Sequence, residues 1–211
     1  MLSNWQNTPA ATLLRFLADL MLVNLLLLCC SLGVVTIGAS LTGMYAVLFK
    51  RQQEDGSVSV LKTFFSAFAD NFLWATALEG IVIVLLLIAG VDFSYALTLP
   101  QPGKTLFLVV ATVIALLLLA IFLLAFPQQA VYRNNLLGYL KNSLALAVCA
   151  PFQLLLAAAA WAAPWVLAVI EPDMIVYLGV LYLLWGFSFP AYCTVRLLDP
   201  VFRKITQEQP N

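Results

Sequence analysis

Residues 27–51 read LLCCSLGVVTIGASLTGMYAVLFKR, and no charged residue occurs anywhere from Leu20 to Phe49. A straight helix over that uncharged run would extend about 45 Å at ~1.5 Å per residue, against a hydrocarbon core of about 30 Å. Either one strongly tilted helix occupies the run, or two segments are joined by something that is not helix. The residues favour the second. Thr12 to Leu32 makes about 31 Å of helix, enough to cross alone. Val34, Val35, Thr36 and Ile37 then form a β-branched run between Gly33 and Gly38, a poor helix interior. Ser40 or Thr42 can cap a new helix that ends near Lys50. The expectation is a broken hairpin: a full span, an extended break near the outer leaflet and a short returning helix. Extended backbone at membrane depth requires other protein around it.

The composition agrees with a membrane location. Of 211 residues, 64% are hydrophobic and 9% charged, whereas a soluble domain carries about 25% charged residues to cover its surface. Lys+Arg and Asp+Glu are balanced at 10 each, so net charge suggests no nucleic-acid partner. Histidine is absent, which removes the commonest metal ligand and proton carrier. Cys29, Cys30, Cys149 and Cys193 sit in apolar runs without CxxC spacing, as small hydrophobes rather than a metal or redox site. No metal or cofactor is expected. The N-terminus lacks a basic stretch before its apolar run, so no cleavable signal peptide is expected either.

Further apolar runs cover Asn71–Val91, Thr105–Phe126, Ser143–Ile170 and Met174–Val195, with Pro151, Pro164 and Pro190 as expected kinks. Lys50, Arg51 and Lys62 share one connection, Arg133 and Lys141 another, and Arg196, Arg203 and Lys204 the tail; the connections between hold only Lys104. By the excess of basic residues on the inner side, the Lys50–Asp70 and Pro127–Asn142 connections and both termini are cytoplasmic. Leu61, Phe64, Phe65, Phe68 and Phe72 recur at helical spacing opposite Lys62, Ser66 and Asp70, which predicts a short amphipathic helix at the cytoplasmic surface near residues 58–70. The fold expected is thus an all-α membrane protein, a single integral domain over residues 1–211. It has about six transmembrane segments, the first two forming the broken hairpin. A faint echo between Ala69–Leu78 and Leu140–Cys149 raises the alternative of two parallel halves.

The run VVTIGASLTGMYAVLFKR (Val34 to Arg51) followed by FFSAFADNFLWAT (Phe64 to Thr76) resembles the YesL-like family of small bacterial membrane proteins, and DPVFRKI (Asp199 to Ile205) is similar to its closing segment. Gly33 stands where that family usually has proline, and Gly43 where it often has alanine. The resemblance implies a polytopic protein of the bacterial plasma membrane whose genes accompany carbohydrate uptake and degradation genes, with no established catalytic activity.

Glu79 is the sharpest chemical feature. It lies about 12 Å into a span that begins at Asn71, where a carboxyl group needs a partner. The functional reading is a substrate- or proton-coupling carboxylate; the plainer one is a hydrogen bond to a neighbouring helix. Thr36, Ser40 and Thr42, among Gly33, Gly38 and Gly43, form either a ligand-holding unwound segment or a packing joint. The freed backbone and these hydroxyls are the expected partners of Glu79. Asn24 and Gln153 are candidates for hydrogen bonds across helices. With no nucleophile beside a base and no paired carboxylates, no enzyme is expected. Two function classes follow: a component associated with carbohydrate uptake, with other membrane transport proteins and the lipid bilayer as partners, or a non-transporting scaffold for assembly or regulation of other membrane proteins.

Overall fold

The structure, a computed structural model, describes residues 8–53 and 58–208. The expected cytoplasmic N-terminus and residues 54–57 of the first connection lie outside them. Among the described residues there is no strand. Eight α-helices follow one another: α1 (Pro9–Cys30), α2 (Ile37–Gln53), α3 (Val60–Ala96), α4 (Gly103–Val131), α5 (Leu136–Cys149), α6 (Pro151–Ile170), α7 (Ile175–Trp185) and α8 (Ser188–Glu208). Helices α1, α3, α4 and α6 are long and apolar enough to cross a membrane, and α7 with α8, bent by 60°, makes a fifth candidate. The chain is an all-α membrane bundle.

Helix α2, the returning arm of the hairpin, is short and the least apolar of the inner elements, yet it is buried nearly all round. Met44, Tyr45, Val47 and Leu48 are enclosed by Leu20, Val23 and Leu27 of α1, Leu124 and Phe126 of α4, and Val195 and Leu198 of α8. The most apolar helices surround it and expose side chains such as Leu106, Leu155 and Val169. In lipid this arrangement is favourable, because apolar side chains gain nothing by leaving hydrocarbon, whereas small and hydroxyl-bearing residues gain close packing and hydrogen bonds inside.

Several boundaries differ from the expectation. The amphipathic stretch is not a separate helix but the opening of α3, a continuous helix of about 55 Å. Its apolar face is divided: Phe64 is fully buried, while Leu61, Phe65 and Phe72 are exposed. Pro127 does not end α4, which continues to Val131. Pro151 opens α6 at a break after Cys149, while α7 and α8 part at Gly186–Phe187, ahead of Pro190. The two halves of the faint echo fall within the 37-residue α3 and the 14-residue α5, so they are not equivalent units.

One end of the bundle gathers the basic residues. Arg51 at the end of α2 pairs with Asp19 of α1 and lies over the Phe16 ring at 5.4 Å. The Tyr132 hydroxyl after α4 donates to Phe202 O of α8 at 2.9 Å, and Phe49 stacks on Phe202. The ends of α2, α4 and α8 and the starts of α3 and α5 therefore share a side.

Candidate functional site

The break between α1 and α2 runs from Ser31 to Thr36, with a single 3-10 turn over Val34–Thr36. Ile37 onward is already α-helical, so Ser40 and Thr42 lie inside α2 and cap nothing. Gly33 is extended, and Thr36 N donates back to Gly33 O at 2.9 Å. The Thr36 hydroxyl bonds to the Cys30 and Gly33 carbonyls, closing the C-terminal end of α1.

Helix α3 supplies the remaining partners. Thr76 Oγ1 donates to Val35 O at 2.9 Å, and Glu79 Oε2 accepts from Gly38 N at 2.9 Å. These two residues are three apart on one helical face, so a single turn of α3 serves both sides of the break. A carboxyl group at the first amides of a helix also meets the positive end of its dipole. The helices come close enough because residue 38 is glycine: a Cβ there would lie 2.5 Å from Ala75 O. Glu79 thus meets the first turn of α2, just past the break, and only through backbone. The three hydroxyls expected to join it are used elsewhere: Ser40 donates to Thr36 O at 2.8 Å, and Thr42 Oγ1 lies 3.0 Å from Gly38 O and 3.1 Å from Gln129 Oε1. Glu79 Oε1 has no hydrogen-bond partner among the described residues.

The break is not near the outer end of the bundle, as the sequence suggested. Beyond Glu79, α3 continues from Gly80 to Ala96, about 26 Å further, so the hairpin turns at the level of the middle of α3. Leu32, Val34 and Val35 at its tip are exposed apolar residues, as a tip within hydrocarbon requires.

Asn24 forms a second and separate cluster. Fully buried on α1, its Nδ2 donates to Tyr182 O at 3.0 Å and Leu183 O at 2.9 Å, and its Oδ1 accepts from Phe187 N at 2.9 Å and Ser188 N at 3.1 Å. Both donors and both acceptor sites of the amide are used. They satisfy the groups freed where α7 bends into α8. Gln153 is half-buried at the start of α6 and has no hydrogen bond to either cluster. The six candidates therefore do not converge on one space.

What the sequence reading passed over lies at the basic end. A groove of about 560 Å³ is bordered by Lys50 of α2, Lys62, Ser66 and Asp70 of α3, and Gln129 and Arg133 beside the end of α4. Gln129 is 2% exposed, and its Nε2 has no partner among the described residues. Its neighbour Gln128 donates to Ser143 Oγ at 3.0 Å, tying α4 to α5. The turn that presents Arg133 is fixed by Tyr139, whose hydroxyl donates to Tyr132 O at 2.8 Å and accepts from Asn134 N at 3.0 Å. Burial pushes the Tyr139 phenol above its ordinary value, against the opposing pull of the Asn134 amide and the Arg133 charge, so it stays a neutral donor. Two further cavities lie near the same end, one of about 300 Å³ beside Asp199 and Phe202 and one of about 570 Å³ beside Phe16 and Arg51. None of the three has Asn24, Glu79 or Gln153 in its wall. Among the described residues no group of His, Cys, Asp and Glu is placed to hold a metal ion.

No curated protein and no solved structure matches the chain. A family model described as "Protein of unknown function, DUF624" matches residues 20–93, which contain the hairpin, its break and Glu79. The match covers 74 of the 211 residues, and over that segment the chain is similar to DUF624, the YesL-like family of membrane proteins of unknown function.

Proposed function

We propose that the protein is a non-catalytic scaffold of the bacterial plasma membrane, with both termini in the cytoplasm. It assists the assembly or regulation of other membrane proteins, and components of carbohydrate uptake are the partner class that the YesL-like resemblance favours. The observation that carries this reading is Asn24. A polar side chain at a helix break is where a transporter would hold its substrate, yet all four hydrogen-bonding positions of this amide are occupied by Tyr182, Leu183, Phe187 and Ser188. Thr36, Ser40 and Thr42 are likewise engaged within the bundle. Apart from Glu79 Oε1, these polar atoms at membrane depth bond within or between helices, while polar accessible surface gathers at the basic end, where other proteins can dock.

The test is affinity purification of the tagged full chain from native membranes grown with and without an oligosaccharide carbon source. A membrane transport component is expected to co-purify, more strongly with the oligosaccharide. Sugar uptake by the purified chain alone in liposomes would overturn the scaffold reading in favour of a carrier.

A further inference from the structure

The groove at the basic end has the chemistry of an anion site. Ser59, Thr63 and Ser66 bring hydroxyls from the opening of α3, Lys62 and Arg133 bring positive charge from two different elements, and Gln129 brings an amide from α4. Lys50 lies in the same wall, and among the described residues Asp70 is its one acidic residue, 4.0 Å from Arg133 across an exposed contact. The α3 N-terminus opens here as well. Ser59 precedes it without a side-chain cap, so the positive end of a long helix dipole faces the groove.

Gln129 is the independent observation that points to a ligand. Its side chain is almost completely buried, and its Oε1 is held by Thr42. Its Nε2 donors, in a residue that borders the groove, have no partner among the described residues. An unmet buried amide donor is destabilising, which an acceptor entering the groove would offset. Leu61, Phe65 and Phe72 stand exposed on the opposite face of the same stretch of α3.

The geometry points to a binding site for a phosphate group in this groove, between the opening of α3 and the end of α4, with Lys62, Arg133 and Gln129 Nε2 as its donors. An anionic phospholipid headgroup is one source of that group, since basic pockets between helices on the cytoplasmic side hold such headgroups. A soluble phosphate ester presents the same oxygens.

Native mass spectrometry of the detergent-purified full chain separates these sources, with phosphatidylglycerol, phosphatidylcholine and inorganic phosphate as probes. Phosphatidylglycerol should be retained where phosphatidylcholine is lost. Lys62→Glu should weaken that retention roughly fivefold for each unit of charge changed, and Lys62→Arg should keep it. Lys62 is exposed, so its variants report on binding rather than folding. Gln129→Glu keeps the acceptor for Thr42 but replaces the donor, and should weaken retention as well. Competition by inorganic phosphate would identify the phosphate group alone as sufficient, and phosphate binding without lipid selectivity would assign the site to a soluble ester. Equal retention of both lipids with no phosphate binding would overturn the proposal. So would Lys62→Glu and Gln129→Glu variants that hold phosphatidylglycerol as the wild type does.

Discussion

Glu79 of α3 accepts a hydrogen bond from the backbone of Gly38, 41 positions earlier in the chain, at 2.9 Å. The carboxyl group does for α2 what a local capping residue does for most helices, but from a neighbouring helix. In hydrocarbon the exposed amide has no water to turn to, so the contact stabilises the hairpin and α3 together.

Glu79→Gln should therefore leave stability nearly unchanged, since the side-chain oxygen remains to accept from Gly38. Glu79→Leu should lower it by roughly 1–3 kcal/mol, because the Gly38 amide is then buried without a partner. Thermal unfolding in detergent distinguishes the two. Identical melting of both variants would mean the hydrogen bond contributes nothing.

Gly38→Ala places a methyl group 2.5 Å from Ala75 O and 3.0 Å from its carbonyl carbon. Backbone cannot yield as a side-chain tip does, so α2 and α3 must separate, at about 1–3 kcal/mol by the usual cost of overpacking. Gly80, with nothing within 4 Å of its would-be Cβ, is the control. Gly80→Ala should melt at or slightly above the wild-type temperature.

Asn24→Leu removes four hydrogen bonds at the α7–α8 bend. It should be the most damaging of these substitutions, well beyond the roughly 1–3 kcal/mol of a single orphaned group. A melting temperature equal to that of Glu79→Leu would show that the bend rearranges to satisfy itself.

Sidedness is checked by cysteine labelling in a background with Cys29, Cys30, Cys149 and Cys193 replaced. Cysteines at Lys62 and Gln207 should react from the cytoplasmic side only, and one at Lys104 from outside. Asn4 lies outside the described residues; a cysteine there should react from the cytoplasm if the first two helices form a hairpin. External labelling at Asn4 would mean that α1 and α2 together cross once.

The hairpin was legible because its signal is local: Val34, Val35, Thr36 and Ile37 between two glycines weaken any helix through them. Its depth was not, because depth depends on the register against α3, which only the Thr76 and Glu79 contacts reveal. The expected partners of Glu79 failed for a related reason. A hydroxyl inside a helix has the carbonyl four residues back always within reach, and Ser40 and Thr42 use it. Gln129 was hidden by Pro127. Proline commonly stops a helix, so the glutamines after it read as connection, whereas α4 carries them a further turn into the interior. The α7–α8 bend carries no proline of its own, only Gly186 and Phe187, and nothing nearby in the chain names Asn24 as its partner.

The bonds from Asn24 to the α7–α8 bend also make the bundle a ring. Chain order runs outward from α1 through α3, α4 and α6, and the last two helices return to lie against the first, with Trp185 Nε1 donating to Leu17 O at 3.0 Å beside the Asn24 cluster. Cutting such a ring once leaves it joined at the opposite side. A chain divided in the short connection between α3 and α4 would still be held across the α1–α8 seam and by the Thr42–Gln129 contact, so two separately translated pieces are expected to co-purify from the same membrane.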